Sequence, residues 1–137
     1  MGLTTEQLEQ IRQRIINWIA ALKSGQYEQG ENFLCKNNKY CCLGVATKLV
    51  DYPINWYDKI PNPVVRDKYG LTGLCGGFNK TKNTRMYLDA LNDDGTSFNE
   101  LADLISSCPN GLFIPEVEQY LSENPLAPSL EGINNVS

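Results

Sequence analysis

The stretch WIAALKSGQYEQGENFLCKNNKYCCLGVATKL, residues 18–49, runs from the end of an amphipathic helix through a glycine exit and a polar hairpin to a doubled cysteine. Upstream of it, Leu8, Ile11, Ile15, Trp18, Ile19 and Leu22 recur at steps of three and four, the stripe of a helix that buries one face. Thr4 with Gln7 forms a capping box, Leu3 and Leu8 take the staple positions around it, and Gly25 stands where a left-handed residue ends the helix. Asn37-Asn38 tolerate the positive φ of a primed turn, with Phe33, Leu34, Tyr40 and Cys41 on the flanking strands. LGVATKLV fits a short helix or a buried strand, and Leu43, Ala46 and Leu49-Val50 suit the helix better.

Downstream, residues 51–63 hold Pro53, Pro61 and Pro63 among aromatics and read as an ordered loop. PVVRDKYG reads as a short helix with Pro63 at its first position and Gly70 closing it. GLTGLCGGFNKTKNTR, residues 70–85, is a glycine-rich loop or hairpin, and residues 86–91 a strand or short turn. Ser97 and Glu100 form a second capping box ahead of Phe98, Leu101, Ala102, Ile105 and Cys108 at helical spacing, and Pro115 opens a last short helix. The sum is one α+β domain over residues 1–123, with three to five helices and a small antiparallel sheet, followed by a tail or arm over 124–137.

Composition narrows the function classes. A chain of 137 residues buries roughly 68% of its unfolded surface, enough for a core without staples. A net charge of −4 argues against general attraction to duplex nucleic acid or to an anionic membrane. No apolar run approaches the ~18 residues of a membrane span, and MGLTTEQ lacks a secretory leader pattern, so a cytoplasmic protein is expected. The five cysteines (Cys35, Cys41, Cys42, Cys75, Cys108) include no CxxC pair, and without histidine a zinc site would need four thiolates. Free, mostly buried thiols and no metal or cofactor are the expectation.

Three catalytic or ligand motifs fail on their chemistry. Cys42 precedes a helix-like run that would lower its pKa, but the chain has no imidazole to move a proton for it. GGFNKT separates Gly77 from Lys80 by two residues, which breaks the phosphate-loop spacing, although a backbone nest for an anion survives. An EF-hand centred on Gly95 would place Ala90 and Leu101 at its first and twelfth positions, where neither can bind calcium. Asn92, Asp93 and Asp94 read instead as the turn into the second capped helix.

The blocks W-x3-L-x-S-G-x-Y-x-Q (Trp18, Leu22, Ser24, Gly25, Tyr27, Gln29), CCLGV (41–45), LND (91–93) and F-x-E-L-A-D-x-I (Phe98, Glu100 to Asp103, Ile105) resemble a group of small, uncharacterised proteins of bacteriophages and prophages. The resemblance implies a non-catalytic accessory protein acting in the host cytoplasm. Its implied role is to sequester a small nucleotide immune signal, in a homo-oligomer whose protomers enclose the ligand. The alternatives are an inhibitor or adaptor binding a host protein, or an enzyme using a cysteine or a carboxylate.

For a nucleotide ligand the expected site has Tyr27 stacking the base, Gln29 and Asn92 reading its polar edge, and Asp93 accepting from ribose. Lys80, Lys82 and Arg85 would meet phosphate. The competing account is internal: Gln29 and Asn92 satisfy backbone groups in tight loops, Asp93 helps position the capped helix, and the cations are a solvated face.

Overall fold

In the computed structural model, which describes residues 2–126, the first helix α1 (Thr5–Lys23) is the spine. Thr4 Oγ1 accepts from Gln7 N–H and the Gln7 side chain accepts from Thr4 N–H, so both halves of the capping box are made. Ile11, Ile15, Trp18 and Leu22 are its buried face, packed on the later helices. Gly25, at φ 78°, turns the chain out of the helix.

Three two-residue strands follow. β1 (Glu28–Gln29) pairs parallel to β3 (Lys39–Tyr40), and β2 (Cys35–Lys36) pairs antiparallel to it, giving the order β1-β3-β2. Asn37 and Asn38 hold φ of 55° and 64°, the primed turn that the sequence calls for. The apolar run then forms α2 (Cys42–Leu49), a helix rather than a strand.

The CCLGV block is explained by what surrounds α2. The Cys41 thiol caps the helix by accepting from Gly44 N–H, and Cys42 is fully buried at its first position. Gly44 lies against the Leu34 backbone so closely that a Cβ would sit 1.8 Å from the Leu34 carbonyl oxygen. Only glycine permits this crossing. Trp18 Nε1–H donates to the Cys42 carbonyl at 2.9 Å, and Tyr69 O–H donates to the Ala46 carbonyl at 2.7 Å. The two rings, 5.1 Å apart between centroids, grip the helix from one side.

α3 (Pro63–Lys68) has Pro63 in its first turn and Asn62 as its cap. The glycine-rich segment resolves as a hairpin of β4 (Gly77–Thr81) and β5 (Thr84–Tyr87). Residues 86–91, read from sequence as a strand or short turn, divide between the end of β5 and a further helix, α4 (Leu88–Asp93). Asn92 and Asp93 therefore end that helix rather than lying in a turn, because Leu88 is drawn fully into the core. α5 (Phe98–Ser106) carries the second complete capping box, and α6 (Pro115–Glu123) follows with Pro115 in its first turn. The class is α+β, with six helices among the described residues, and α1 packs against α2, α5 and α6. No described helix is long and apolar enough to cross a membrane. The expected tail lies almost wholly outside the described residues.

Candidate ligand-binding site

Gln29, Asn92 and Asp93 come together, but their polar atoms face the chain itself. Asn92 is fully buried, and its Oδ1 accepts from Cys42 N–H at 3.1 Å and from Gln29 Nε2–H at 3.0 Å. Its Nδ2–H donates to the Gly30 carbonyl at 2.8 Å. Gln29 in turn donates to the Thr96 carbonyl at 2.7 Å and accepts from Phe98 N–H at 3.0 Å. The two amides thereby satisfy the first N–H groups of α2 and α5, which have no partner inside their own helices. Asp93 Oδ1 accepts from Asn32 N–H at 2.8 Å and fixes the loop before β2.

Tyr27 stands edge-on to Tyr40 at 5.3 Å and, with Gln29, borders a shallow depression of about 260 Å³ over α5. Lys80, Lys82 and Arg85 stand on the β4–β5 hairpin, and none of them hydrogen-bonds or ion-pairs with the amide group. The expected constellation is thus divided between a buried amide junction and an exposed basic hairpin.

The aromatic, amide and cationic groups that a nucleotide needs do converge at another place. A cleft of about 500 Å³ lies between the β2–β3 hairpin and the loop after α2, and includes Tyr40, Tyr52 and Trp56 with Asn37, Asn38, Lys48 and Asp51 in its lining. Its volume falls within the ordinary range for small-molecule sites, although it is open on one side. Local chemistry builds both walls. The Asn37-Asn38 turn holds two amides at the hairpin tip, and Asp51, at φ 56°, turns the chain so that Tyr52 N–H donates back to the Thr47 carbonyl. Asn55 N–H donates to Asp58 Oδ2, while the Asp58 carbonyl accepts from Leu34 N–H, docking the loop on the strand. Trp56 and Tyr57 project from that docked turn, 75% and 58% exposed, with rings perpendicular at 5.5 Å. Lys36 and Lys59 both lie over the Phe33 ring, 4.5 and 5.4 Å from its centroid.

A second cleft of about 430 Å³ shares Tyr52 and Pro53 with the first and includes Thr47, Asn55, Asp58 and Ile60. The sequence marks Tyr40 as a hairpin-strand residue and residues 51–63 as an aromatic loop, but does not single out Lys48, Tyr52 or the hairpin amides as binding groups. Two signals point to them: a turn demanding positive φ, and a proline-spaced loop whose aromatics have no helical or strand period to bury them.

Four of the five thiols are held in the protonated form; the fifth, Cys35, lines the first cleft. Burial pushes Cys41 up to about 11 and Cys42 well above the ordinary thiol range. Burial, with the nearby Asp89 carboxylate, pushes Cys75 up to about 11, and burial also raises Cys108. No group of three or more metal-capable side chains occurs among the described residues. Every buried side-chain nitrogen or oxygen among them has a hydrogen-bond partner.

Residues 9–63 match the model of a family described as a domain of unknown function (DUF8296). The matched segment contains α1 from its second turn onward, the β1-β3-β2 sheet, α2 and the lining of both clefts, and ends before the β4–β5 hairpin. No curated protein and no solved structure matches the chain.

Proposed function

We propose that the protein binds a small nucleotide-type ligand in the cleft between the β2–β3 hairpin and the loop after α2, and holds it without turnover. The observation that carries this reading is the lining: three aromatic rings, two exposed hairpin amides, the Lys48 ammonium and the Asp51 carboxylate, an acceptor for ribose hydroxyls, around about 500 Å³. Trp56 and Tyr52 offer faces for a base, Asn37 and Asn38 offer donors and acceptors for its edge, and Lys48 meets phosphate. The absence of histidine, which leaves the cleft no imidazole to move a proton, supports retention rather than cleavage. In the setting that the phage resemblance implies, the ligand is a nucleotide immune signal in the host cytoplasm. A second copy of the chain then closes the cleft's open side.

The test uses the contrast between the two tryptophans. Trp18 is fully buried and Trp56 is 75% exposed, so ligand-dependent quenching reports Trp56. Titration with cyclic dinucleotides, cyclic trinucleotides and cyclic ADP-ribose isomers is expected to quench emission saturably with one of them. A Trp18-only variant, Trp56→Phe, should lose that signal, and Lys48→Ala should weaken binding by about tenfold, as for one charged hydrogen bond of ~1.5 kcal/mol. The nucleotide recovered after denaturation should be unchanged. Absence of quenching and of any thermal shift across the panel would overturn the reading.

A second reading has its own observation. Trp56, Tyr57, Ile60 and Val64 are large apolar side chains exposed within nine residues of sequence, a surface of the kind that protein partners cover. If a host protein is the target, Tyr57→Ser with Ile60→Ser abolishes its capture while leaving nucleotide titrations unmoved.

A further inference from the structure

The β4–β5 hairpin carries a charge that the rest of the chain does not. Residues 77–87 contain Lys80, Lys82 and Arg85 and no acid, a local charge of +3, while the remaining residues sum to −7. Ionic screening limits the reach of charge to roughly 8–10 Å at physiological salt, so a partner touching the hairpin meets a cationic surface whatever the net charge. The ion pairs among the described residues engage Arg12, Lys23, Lys39 and Arg66, and leave the three hairpin cations out.

The strand register orders these groups. Phe78 pairs with Met86 on the face turned to the core, where Phe78 is buried. Alternation puts Gly77, Asn79, Arg85 and Tyr87 on the outward face, and an irregularity in register between Asn79 and Thr81 breaks that alternation at Lys80, ahead of the tip. There Gly77 leaves room that the neighbours use: a Cβ on it would lie 2.7 Å from Arg85 Nη2 and 3.0 Å from Tyr87 Cε1. Arg85 is held in that room by donating to Asn79 Oδ1 at 3.1 Å and by lying 5.7 Å from the Tyr87 ring centroid. The hairpin itself is anchored by Asn79 N–H donating to the Asn110 carbonyl at 2.7 Å. The result is an oriented guanidinium beside a 42% exposed tyrosine, with Lys80 and Lys82 toward the tip.

We infer that this outward face of the β4–β5 hairpin binds single-stranded nucleic acid. The guanidinium and the two ammonium groups track successive phosphates, and the Tyr87 ring stacks an unpaired base. The exposed ring is what favours a single strand, because bases paired in a duplex offer no face to it. The hairpin lies outside the segment matched by the family model and shares no residue with the cleft, so this inference stands apart from the nucleotide reading.

Fluorescence anisotropy of the full chain with labelled oligothymidylate and oligouridylate of about 20 nucleotides tests it, the length spanning one or two ordinary single-strand sites. Three phosphate contacts predict a slope of log affinity on log salt near −2, hence a loss of about 20-fold between about 50 and 200 mM salt. Arg85→Ala should reduce that slope by about 0.7, and Tyr87→Ala should weaken binding at least about fivefold at every salt concentration. Gly77→Ala, which displaces only the ends of the Arg85 and Tyr87 side chains, should weaken binding with an unchanged melting temperature. Lys48→Ala, in the cleft, should leave it intact. No saturable binding at low salt would overturn the inference. So would equal affinity for a duplex of the same length or for polyglutamate, or an unaltered affinity in Tyr87→Ala.

Discussion

Replacing Asn92 by alanine removes the side chain that joins three segments of the fold. The amide is fully buried and makes three bonds of 2.8–3.1 Å, to Cys42 N–H, Gln29 Nε2–H and the Gly30 carbonyl. Gln29 Nε2–H keeps the Thr96 carbonyl, so it is not orphaned. Cys42 N–H, sealed at the start of α2, and the half-buried Gly30 carbonyl are. At about 1–3 kcal/mol per orphaned group, with water able to reach Gly30, the loss is about 3 kcal/mol. That is a large part of the ~5–15 kcal/mol that holds a domain together, and it should lower the melting temperature by about 10 °C. Urea unfolding followed by far-UV circular dichroism should show the midpoint falling by about 1–2 M with an unchanged slope. Asn92→Asp sharpens the test. It keeps an acceptor for Cys42 N–H but turns an oxygen toward the Gly30 carbonyl and the Asp93 carboxylate, which raises the new group's pKa. Its protonated form is favoured in the fold, so the deficit relative to wild type should shrink as pH falls below about 6 and the acid donates to Gly30. A loss below about 1 kcal/mol in Asn92→Ala, or a pH-independent deficit in Asn92→Asp, would refute the assignment of Asn92 as the internal junction.

Gly44→Ala should be more severe, because its Cβ would meet the Leu34 carbonyl at 1.8 Å; a loss of ~3 kcal/mol or more, or insoluble expression, is expected in a chemical-denaturation assay, against a gain of ~1 kcal/mol were the site an open helix position. Alkaline pH should destabilise the reduced protein. Cys41, Cys42, Cys75 and Cys108 all have raised pKa values in the fold, so the unfolded chain releases these protons first. Stability present below the unfolded thiol value of about 8.5 should therefore be lost as pH rises toward about 11, read as a falling urea midpoint. Cys41→Ser, which keeps an N-cap acceptor and does not titrate there, should flatten the decline. Trp18→Phe should cost about 1–2 kcal/mol in thermal unfolding by removing the bond to the Cys42 carbonyl and part of the contact with Tyr69.

The parts of the fold written in local chemistry were legible. Both capping boxes, the Asn37-Asn38 turn, Gly25 and Gly70 as helix exits and Pro63 and Pro115 as helix starts need only neighbours a few residues away, and all are present. α4 was not legible, because MYLDALND offers no side-chain cap and no period long enough to distinguish a helix from a turn; its formation depends on Leu88 and Asn92 being buried by distant segments. Glycines divide the same way. Gly25 announces itself by local punctuation, whereas Gly44 and Gly77 are required by a backbone and by side chains that reach them from elsewhere.

Residue type alone does not show which polar groups are left free, and the reason is the hydrogen-bond inventory. An amide offers a ligand only the donors and acceptors that the chain leaves free. Asn92 and Gln29, suggestive in sequence, direct theirs to helix starts and loop carbonyls. Asn37 and Asn38 owe their places to φ, not to their side chains, and so keep both amides at the mouth of the cleft. The same reasoning separates the hairpin cations. Arg85 has one acceptor among the described residues, Asn79 Oδ1, and lies over the Tyr87 ring, which leaves most of its five donors without a partner there. Arg12 and Arg14, equally basic in sequence, are turned inward to the carbonyls of Asn124, Pro125 and Lys68. In this protein a polar side chain's candidacy for binding is set by what the backbone around it still lacks.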